Sequence, residues 1–283
     1  MKFGRFELFP LSDGFFRLDG GAMFGTVPKT LWCRHEPADE HNRIPLCLGS
    51  LLIKTPKGRH VLVDTGLSSK YERNAKFNDI YRVERRVTLR DELKGLGLLP
   101  GDVDLVINTH LHFDHAGGDT EYSDEGKAVP AFEKARYLMQ KEEWEDANHP
   151  HERNKASYME ENFAPLQDYR RLELVSGDYE IEPGLKVLRS GGHTRGHQCV
   201  MVESEGETAV FLGDLIPTSS HLPLPYVMGY DLYPLDTLEA KRSLLAEARE
   251  KNWTLIFQHD VRRRHAKIDL VDGKYVAKVE APA

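Results

Sequence analysis

Three histidines and one aspartate fall within six residues, in Thr109-His110-Leu111-His112-Phe113-Asp114-His115. On extended backbone His110 and His112 share a face, because side chains alternate, so both can grip one ion. Asp114 and His115 follow as the chain turns towards Gly117-Gly118, and can address a second position close by. The apolar run 103–107, broken by Asp104, reads as a buried strand that presents this cluster on a fixed support. Imidazole and carboxylate donors at this density suit a metal. Two divalent ions about 3.5–4 Å apart polarise a scissile group and bring the pKa of a water they hold down to about 7. That is hydrolytic chemistry. The competing reading, a solvated histidine-rich loop or tag, fits less well, because the cluster is not repetitive and follows a strand.

The pattern His110-x-His112-x-Asp114-His115 resembles the signature of the metallo-beta-lactamase superfamily. Four other stretches resemble that family's motifs, in its order: Val61-Leu62-Val63-Asp64-Thr65-Gly66, Gly191-Gly192-His193-Thr194-Arg195-Gly196-His197, Phe211-Leu212-Gly213-Asp214 and Phe257-Gln258-His259-Asp260. The resemblance implies an α/β (α+β) fold, an αββα sandwich of two mixed sheets flanked by helices. It implies two divalent ions, with zinc suited to the nitrogen and oxygen donors and iron, manganese or cobalt also compatible. His110, His112 and His193 would hold one ion, and Asp114, His115 and His259 the other, with Asp214 between them. Asp114 would also pass a proton to the leaving oxygen. Asp64 would hold a ligand imidazole in place, with Asp260 as a weaker candidate, and His197 would support the site rather than ligate.

At 283 residues, with 40% hydrophobic and 29% charged residues, a globular chain with a large core is expected. No linker or composition break is visible, so residues 1–283 are read as one domain. The net charge of −7 argues against a nucleic-acid partner, and so against the RNA-cutting branch of the superfamily. Cys33, Cys47 and Cys199 are dispersed and odd in number, which suits free thiols in a reducing, cytoplasmic setting. No apolar signal segment and no membrane-length apolar run is visible.

Runs 3–11 and 15–18 around Ser12-Asp13-Gly14 read as a hairpin, as do 46–54 and 60–64 around Pro56-Lys57-Gly58. Residues 20–45 read as a long loop, a flap over the metal site carrying Phe24 and Trp32, or else a surface loop anchored by Trp32. Residues 68–86 read as irregular or partly helical. Leu89, Leu93 and Leu96 mark a helix capped by Thr88 and Asp91. A strand is expected over 135–140, helices over 141–148 and most of 152–171, and surface positions for His149 and His151. Strands over 172–175, 179–181 and 185–189 should form the sheet that delivers His193. The hairpin 199–203/208–212 should deliver Asp214, and strand 253–258 should deliver His259. Residues 217–233, with Tyr226 and Tyr230, read as a second pocket wall. A helix capped by Asp236 and Glu239 follows, and a hairpin over 266–279 ends the pattern.

Within the superfamily, true β-lactamases generally lack the aspartate at the place of Asp214. The glyoxalase-like thioesterases begin their metal motif near the N-terminus, whereas here it starts at His110. The long N-terminal segment is more similar to N-acyl-homoserine-lactone hydrolases and methyl-parathion-hydrolase-like enzymes. One lactonase subgroup places an oxyanion-binding tyrosine three residues beyond the bridging aspartate, where this chain has Pro217. Tyr226, Tyr230 or Tyr233 are the candidates to replace it. The expectation is a hydrolase of a small, fairly apolar ester, a lactone first. The alternatives are an aryl phosphotriester or a thioester, for which Arg262-Arg263-Arg264 would meet an anionic thiol cofactor. A mononuclear iron oxygenase fits less well because both ligand sets are complete. A metal-binding module without turnover, and a homodimer sharing the 20–45 loop, stay open.

Overall fold

The computed structural model describes residues 1–72 and 74–278. Two mixed sheets pack face to face with helices outside, the sandwich expected. One sheet runs in the order Lys2–Phe3, Phe6–Asp19, Arg43–Lys54, His60–Val63, Leu105–Ile107, Arg136–Gln140, Leu172–Val175. The other runs Tyr179–Glu182, Leu185–Arg189, Gln198–Ser204, Glu207–Phe211, Thr254–Ile256, His265–Ala266. Strict alternation builds the core between them. Leu51 and Ile53, Val61 and Val63, Leu105 and Ile107 face Val187, Val200, Val202, Phe211 and Ile256. The intervening residues Leu52, Leu62 and Val106 meet helix Leu89–Gly95 and the segment carrying Tyr158, Phe163 and Leu166. Val210 and Leu255 meet Leu245 and Ala248 of helix Pro234–Glu250.

Strands His60–Val63, Leu105–Ile107 and Arg136–Gln140 are parallel, as are Glu207–Phe211 and Thr254–Ile256. Parallel strands end on the same edge, so Asp64, His110, Asp214 and His259 leave the two sheets along one rim. Among the described residues no helix is long and apolar enough to cross a membrane.

Several local expectations need correction. Phe6–Asp19 is one strand with a bulge between Ser12 and Phe15 rather than a hairpin. The cause is Asp13, which turns inward, pairs with Arg85 at 2.7 Å and accepts the backbone N–H groups of Leu67, Ser68 and Leu89. Residues 152–171 form turns, Glu160–Asn162 and the short helix Ala164–Asp168, not a long helix. Their backbone and side chains are engaged elsewhere: Ser157 O accepts from Phe113 N–H, and Asn162 accepts from the Tyr71 hydroxyl. Leu172–Val175 pairs with Arg136–Gln140 on the first sheet, not with the strands before His193. The helix expected at Asp236 begins at Pro234, whose fixed φ suits the first turn, and has no side-chain cap. The Thr88–Asp91 capping box forms. The terminal hairpin pairs Ile268–Val271 with Lys274–Ala277. The end of the expected hairpin, Val279, and Arg73 of the 68–86 stretch lie outside the described residues.

Residues 20–45 are not an open loop. They contain helices Gly20–Phe24 and Lys29–Trp32. Trp32 stacks on Phe24 with centroids 5.2 Å apart, and the other face of Phe24 stacks on His221 at 4.4 Å. His221 is fully engaged: Nε2–H donates to Met23 O and Nδ1 accepts from the Thr218 hydroxyl, both at 2.8 Å. Burial pushes its pKa down to about 3. Between about pH 6.5 and 3 the unfolded chain therefore binds a proton that the folded chain refuses. Stability from this group is present above pH 6.5 and lost on acidification, by up to about 1.4 kcal/mol per pH unit. The urea midpoint of the native protein should thus fall more steeply between about pH 7 and 5 than that of His221→Gln. Equal slopes would remove His221 from the acid response.

Candidate metal centre

The first strand end sets the frame. Asp64 follows strand His60–Val63 in a left-handed conformation, φ 54°. Asparagine and aspartate tolerate this region better than other non-glycine residues. There its Oδ1 accepts Thr109 N–H at 2.7 Å, and its Oδ2 accepts the Thr109 hydroxyl at 2.7 Å and His115 Nδ1–H at 3.0 Å. One carboxylate thus ties the start of the histidine motif to its end. The motif itself runs extended through His112 and then coils into Phe113–Ala116. His110 and His112 therefore project from extended backbone and His115 from a helical turn.

Hydrogen bonds fix which imidazole nitrogen carries the proton. His115 donates through Nδ1 to Asp64, His193 through Nδ1 to Asp231 at 2.8 Å, and His259 through Nδ1 to Cys47 O at 2.7 Å. Thr109 gives its proton to Asp64, so its oxygen accepts His110 Nδ1–H at 3.1 Å. In all four rings the Nε2 lone pair is left pointing at the same pocket. His193 Nε2 lies 3.1 Å from His112 Nδ1, and His259 Nε2 lies 3.3 Å from His115 Nε2. Asp214 spans the two groups: Oδ2 is 3.2 Å from His193 Nε2, while Oδ1 is 3.0 Å from His259 Nε2 and 3.5 Å from His115 Nε2. Asp114 Oδ2 is 3.6 Å from His115 Nε2 and 3.7 Å from His259 Nε2.

Donor atoms of His110, His112 and His193 lie within 4.8 Å of one another, and so do those of Asp114, His115 and His259. A third overlapping set joins His110, His115 and Asp214. The residues fit a pair of cations. His110 Nε2 and Asp214 Oδ1 are buried without a hydrogen-bond partner, a costly arrangement that a cation between them relieves. The field of the pocket makes the same demand. Burial and the neighbouring imidazoles hold His110 and His112 well below the usual histidine range, so their lone pairs are free. Burial also pushes His115 and His193 down, but nearby carboxylates, Asp214 among them, outweigh it and raise both. Against the effect of burial, His115, His193 and His259 draw Asp214 well below the carboxylate range. The carboxylates draw positive charge into this volume. All seven donors are of nitrogen or oxygen, the set that zinc, iron, manganese and cobalt share.

His197 does not face this pocket with a free nitrogen. Its Nδ1–H donates to Ser190 Oγ at 2.6 Å and its Nε2 accepts Asp214 N–H at 3.0 Å, which seats the aspartate. Gly213 is at φ 52°, and a Cβ there would come within 2.7 Å of His197 Nε2, so glycine alone fits. Asp260 accepts backbone N–H groups of Ser219, Arg262 and Arg263 rather than an imidazole, closing the turn after His259.

Two side chains that serve the pocket were missed in the sequence. Asp231 orients His193 from within the 217–233 segment. Glu143 is fully buried: Oε1 accepts Leu111 N–H and the Tyr158 hydroxyl, both at 2.9 Å, and Oε2 accepts the Thr194 hydroxyl at 2.5 Å. It joins the loops of His110–His112 and His193. Neither carries a motif. Glu143 sits in the charged run Lys141–Asn148, which the sequence marks only as a helix, and Asp231 is isolated before Pro234.

Above the donors is a cavity of about 270 Å³. Leu18, Met23, Phe113 and Leu232 give it apolar walls, Tyr81 and Tyr230 aromatic ones, and Arg153 a cationic rim. Tyr230 lies where the sequence put a pocket wall. Phe24 and Trp32 do not line it. They pack behind Met23, because their rings are consumed in the stack with His221. Tyr226 packs edge-on against Phe24 and faces a separate surface cleft. His149 and His151 are exposed, as expected.

Residues 50–259 match the family model described as the metallo-beta-lactamase superfamily. The chain belongs to this superfamily. An N-acyl homoserine lactonase of a Bacillus species is 34% identical over 169 residues, 57% of this chain and 60% of that protein, so the match spans less than two thirds of it. The N-acyl homoserine lactonase of Bacillus thuringiensis is 31% identical over 221 residues, 74% of this chain and 80% of that one. Among solved structures, a probable metal-dependent hydrolase from Staphylococcus aureus is 32% identical, covers 100% of both chains and has a TM-score of 0.88. AidC, a dizinc quorum-quenching lactonase, shares the fold at 18% identity and TM-score 0.79, over 100% of this chain and 97% of its own. This member of the superfamily thus combines lactonase relatives with buried His/Asp clusters consistent with a dinuclear metal site.

Proposed function

We propose that this protein is a dinuclear metal-dependent hydrolase that opens a small lactone, with an N-acylated homoserine lactone as the leading substrate. The observation that supports it most is the convergence of the Nε2 lone pairs and both Asp214 oxygens at the floor of a small, largely apolar cavity. Two divalent ions there would supply hydroxide at neutral pH and polarise the substrate carbonyl. His110, His112 and His193 would hold one, Asp114, His115 and His259 the other, and Asp214 both.

The chain's own groups do the rest. Leu18, Met23, Phe113 and Leu232 take the apolar acyl part and exclude water. Burial, with Tyr81 and nearby carboxylates adding to it, holds the Tyr230 phenol above its usual range, so it stays a hydrogen-bond donor. It can face the developing charge on the carbonyl oxygen, the role that Pro217 cannot fill. Asp114 lines the cavity beside His115 and His259, where it can pass a proton to the leaving alkoxide.

A cavity of about 270 Å³ with one cation at its rim suits a neutral ester better than a long anionic thioester. The same neutral walls would take an aryl phosphotriester, which is the second reading. Initial rates of the zinc-loaded protein on acyl lactones, aryl esters, phosphotriesters and a glutathione thioester test this. Lactone turnover should dominate and vanish in Asp114→Ala. Dominant phosphotriester turnover would replace the leading substrate, and silence across the panel would overturn it.

A further inference from the structure

We infer that the surface cleft between residues 34–35, 219–226 and 262–277 is a binding site for a small, multiply charged anion of the phosphate class, separate from the metal pocket. The cleft is about 550 Å³, and Arg34, His35, Arg263 and Lys274 line it together with Tyr226 and Tyr275. Among the described residues no acidic side chain lines it, and Arg263 Nη1 donates to the Lys278 carbonyl at 3.3 Å. The contrast with the other surface clefts decides the point. The one beside helix Pro234–Glu250 mixes Lys186, Arg189 and Lys251 with Asp178, Glu203, Asp236, Glu239 and Glu247. Those around Arg90 and around Arg17 are likewise mixed. Among the described residues, a chain with net charge −7 therefore gathers cations without lining carboxylates in this concave place.

The charges that are balanced show how the cleft is held. Arg262 Nη2 pairs with Glu36 at 2.6 Å, and the same Glu36 oxygen accepts the Ser220 hydroxyl at 2.7 Å. Asp260 takes the Ser219 hydroxyl and the backbone N–H groups of Arg262 and Arg263. These contacts fix the walls and leave Arg34, Arg263 and Lys274 with no carboxylate in ion-pair contact among the described residues. Like charges held together cost free energy that a bound anion would offset. A guanidinium fork and an ammonium match phosphate oxygens, and the two phenol rings can flank an attached organic group. The net negative charge repels polyanions and anionic membranes at longer range, which leaves a small soluble anion as the occupant.

The site is not isolated from the metal pocket. Ser219, Ser220, Pro223 and Tyr226 form one wall of the cleft, and the same segment continues to Gly229, Tyr230 and Leu232 at the cavity. Asp231, between them, holds His193. This inference does not depend on the lactone reading.

Calorimetric titration of the metal-loaded protein with inorganic pyrophosphate tests it, comparing the native chain with Arg263→Ala/Lys274→Ala. Pyrophosphate can also meet the metal centre, and that component should persist in both proteins. The native chain should show an additional component, weakened at least tenfold in the double variant. Melting curves establish that the variant is folded, and Arg34→Ala replaces it if it is not. Superimposable titrations would overturn the proposal. So would retention by anionic phospholipid vesicles without any cleft-dependent pyrophosphate binding.

Discussion

Asp214→Ala is expected to lower turnover by about 10³-fold and to reduce bound metal from about two equivalents to one or fewer. The geometry gives the reason. One oxygen of Asp214 lies beside His193, and the other beside His115 and His259. It is the only candidate donor among the described residues that reaches both groups at these distances. Losing a group that merely orients a ligand costs about 10–100-fold in metal affinity or activity, so losing the bridge should cost more. Buried imidazoles left without the carboxylate would also face one another uncompensated. Metal analysis and initial rates check both parts. A variant that keeps two ions and a tenth of the native rate would contradict the bridging role.

Asp231→Ala is the second large effect. Its carboxylate accepts His193 Nδ1–H at 2.8 Å and is almost fully buried. Without it the ring can swap tautomer and turn its lone pair away from the pocket. Affinity for the first ion should fall by about 10–100-fold, with the second ion less affected. Competition with a chelator of known zinc affinity measures this. Asp231→Asn, which keeps an acceptor oxygen, should recover part of the loss. Equal affinity in all three proteins would show that His193 needs no external orientation.

The fold and the candidate donors were legible because their signals are short and local. Unbroken apolar runs at 51–53, 61–63 and 105–107 mark strands buried on both faces, between the sheets and under the helices, and His110, His193, Asp214 and His259 follow strand ends within a few residues. Where the reading failed, a distant contact had overridden the local pattern. Ser12-Asp13-Gly14 has turn composition, yet Asp13 is drawn inward by Arg85, 72 residues away, and the strand bulges instead of reversing. Phe24 and Trp32 have the look of pocket aromatics, but His221, almost two hundred residues on, recruits them into a stack. Glu143 and Asp231 are invisible for the same reason. An acid that holds a loop from another element has no spacing of its own to declare it.

The most direct test of the two-metal reading is anomalous X-ray diffraction from zinc-loaded crystals. Two peaks about 3.5–4 Å apart are expected, one against His110, His112 and His193, the other against Asp114, His115 and His259, with Asp214 between them. A single peak, or none, at saturating zinc would contradict it.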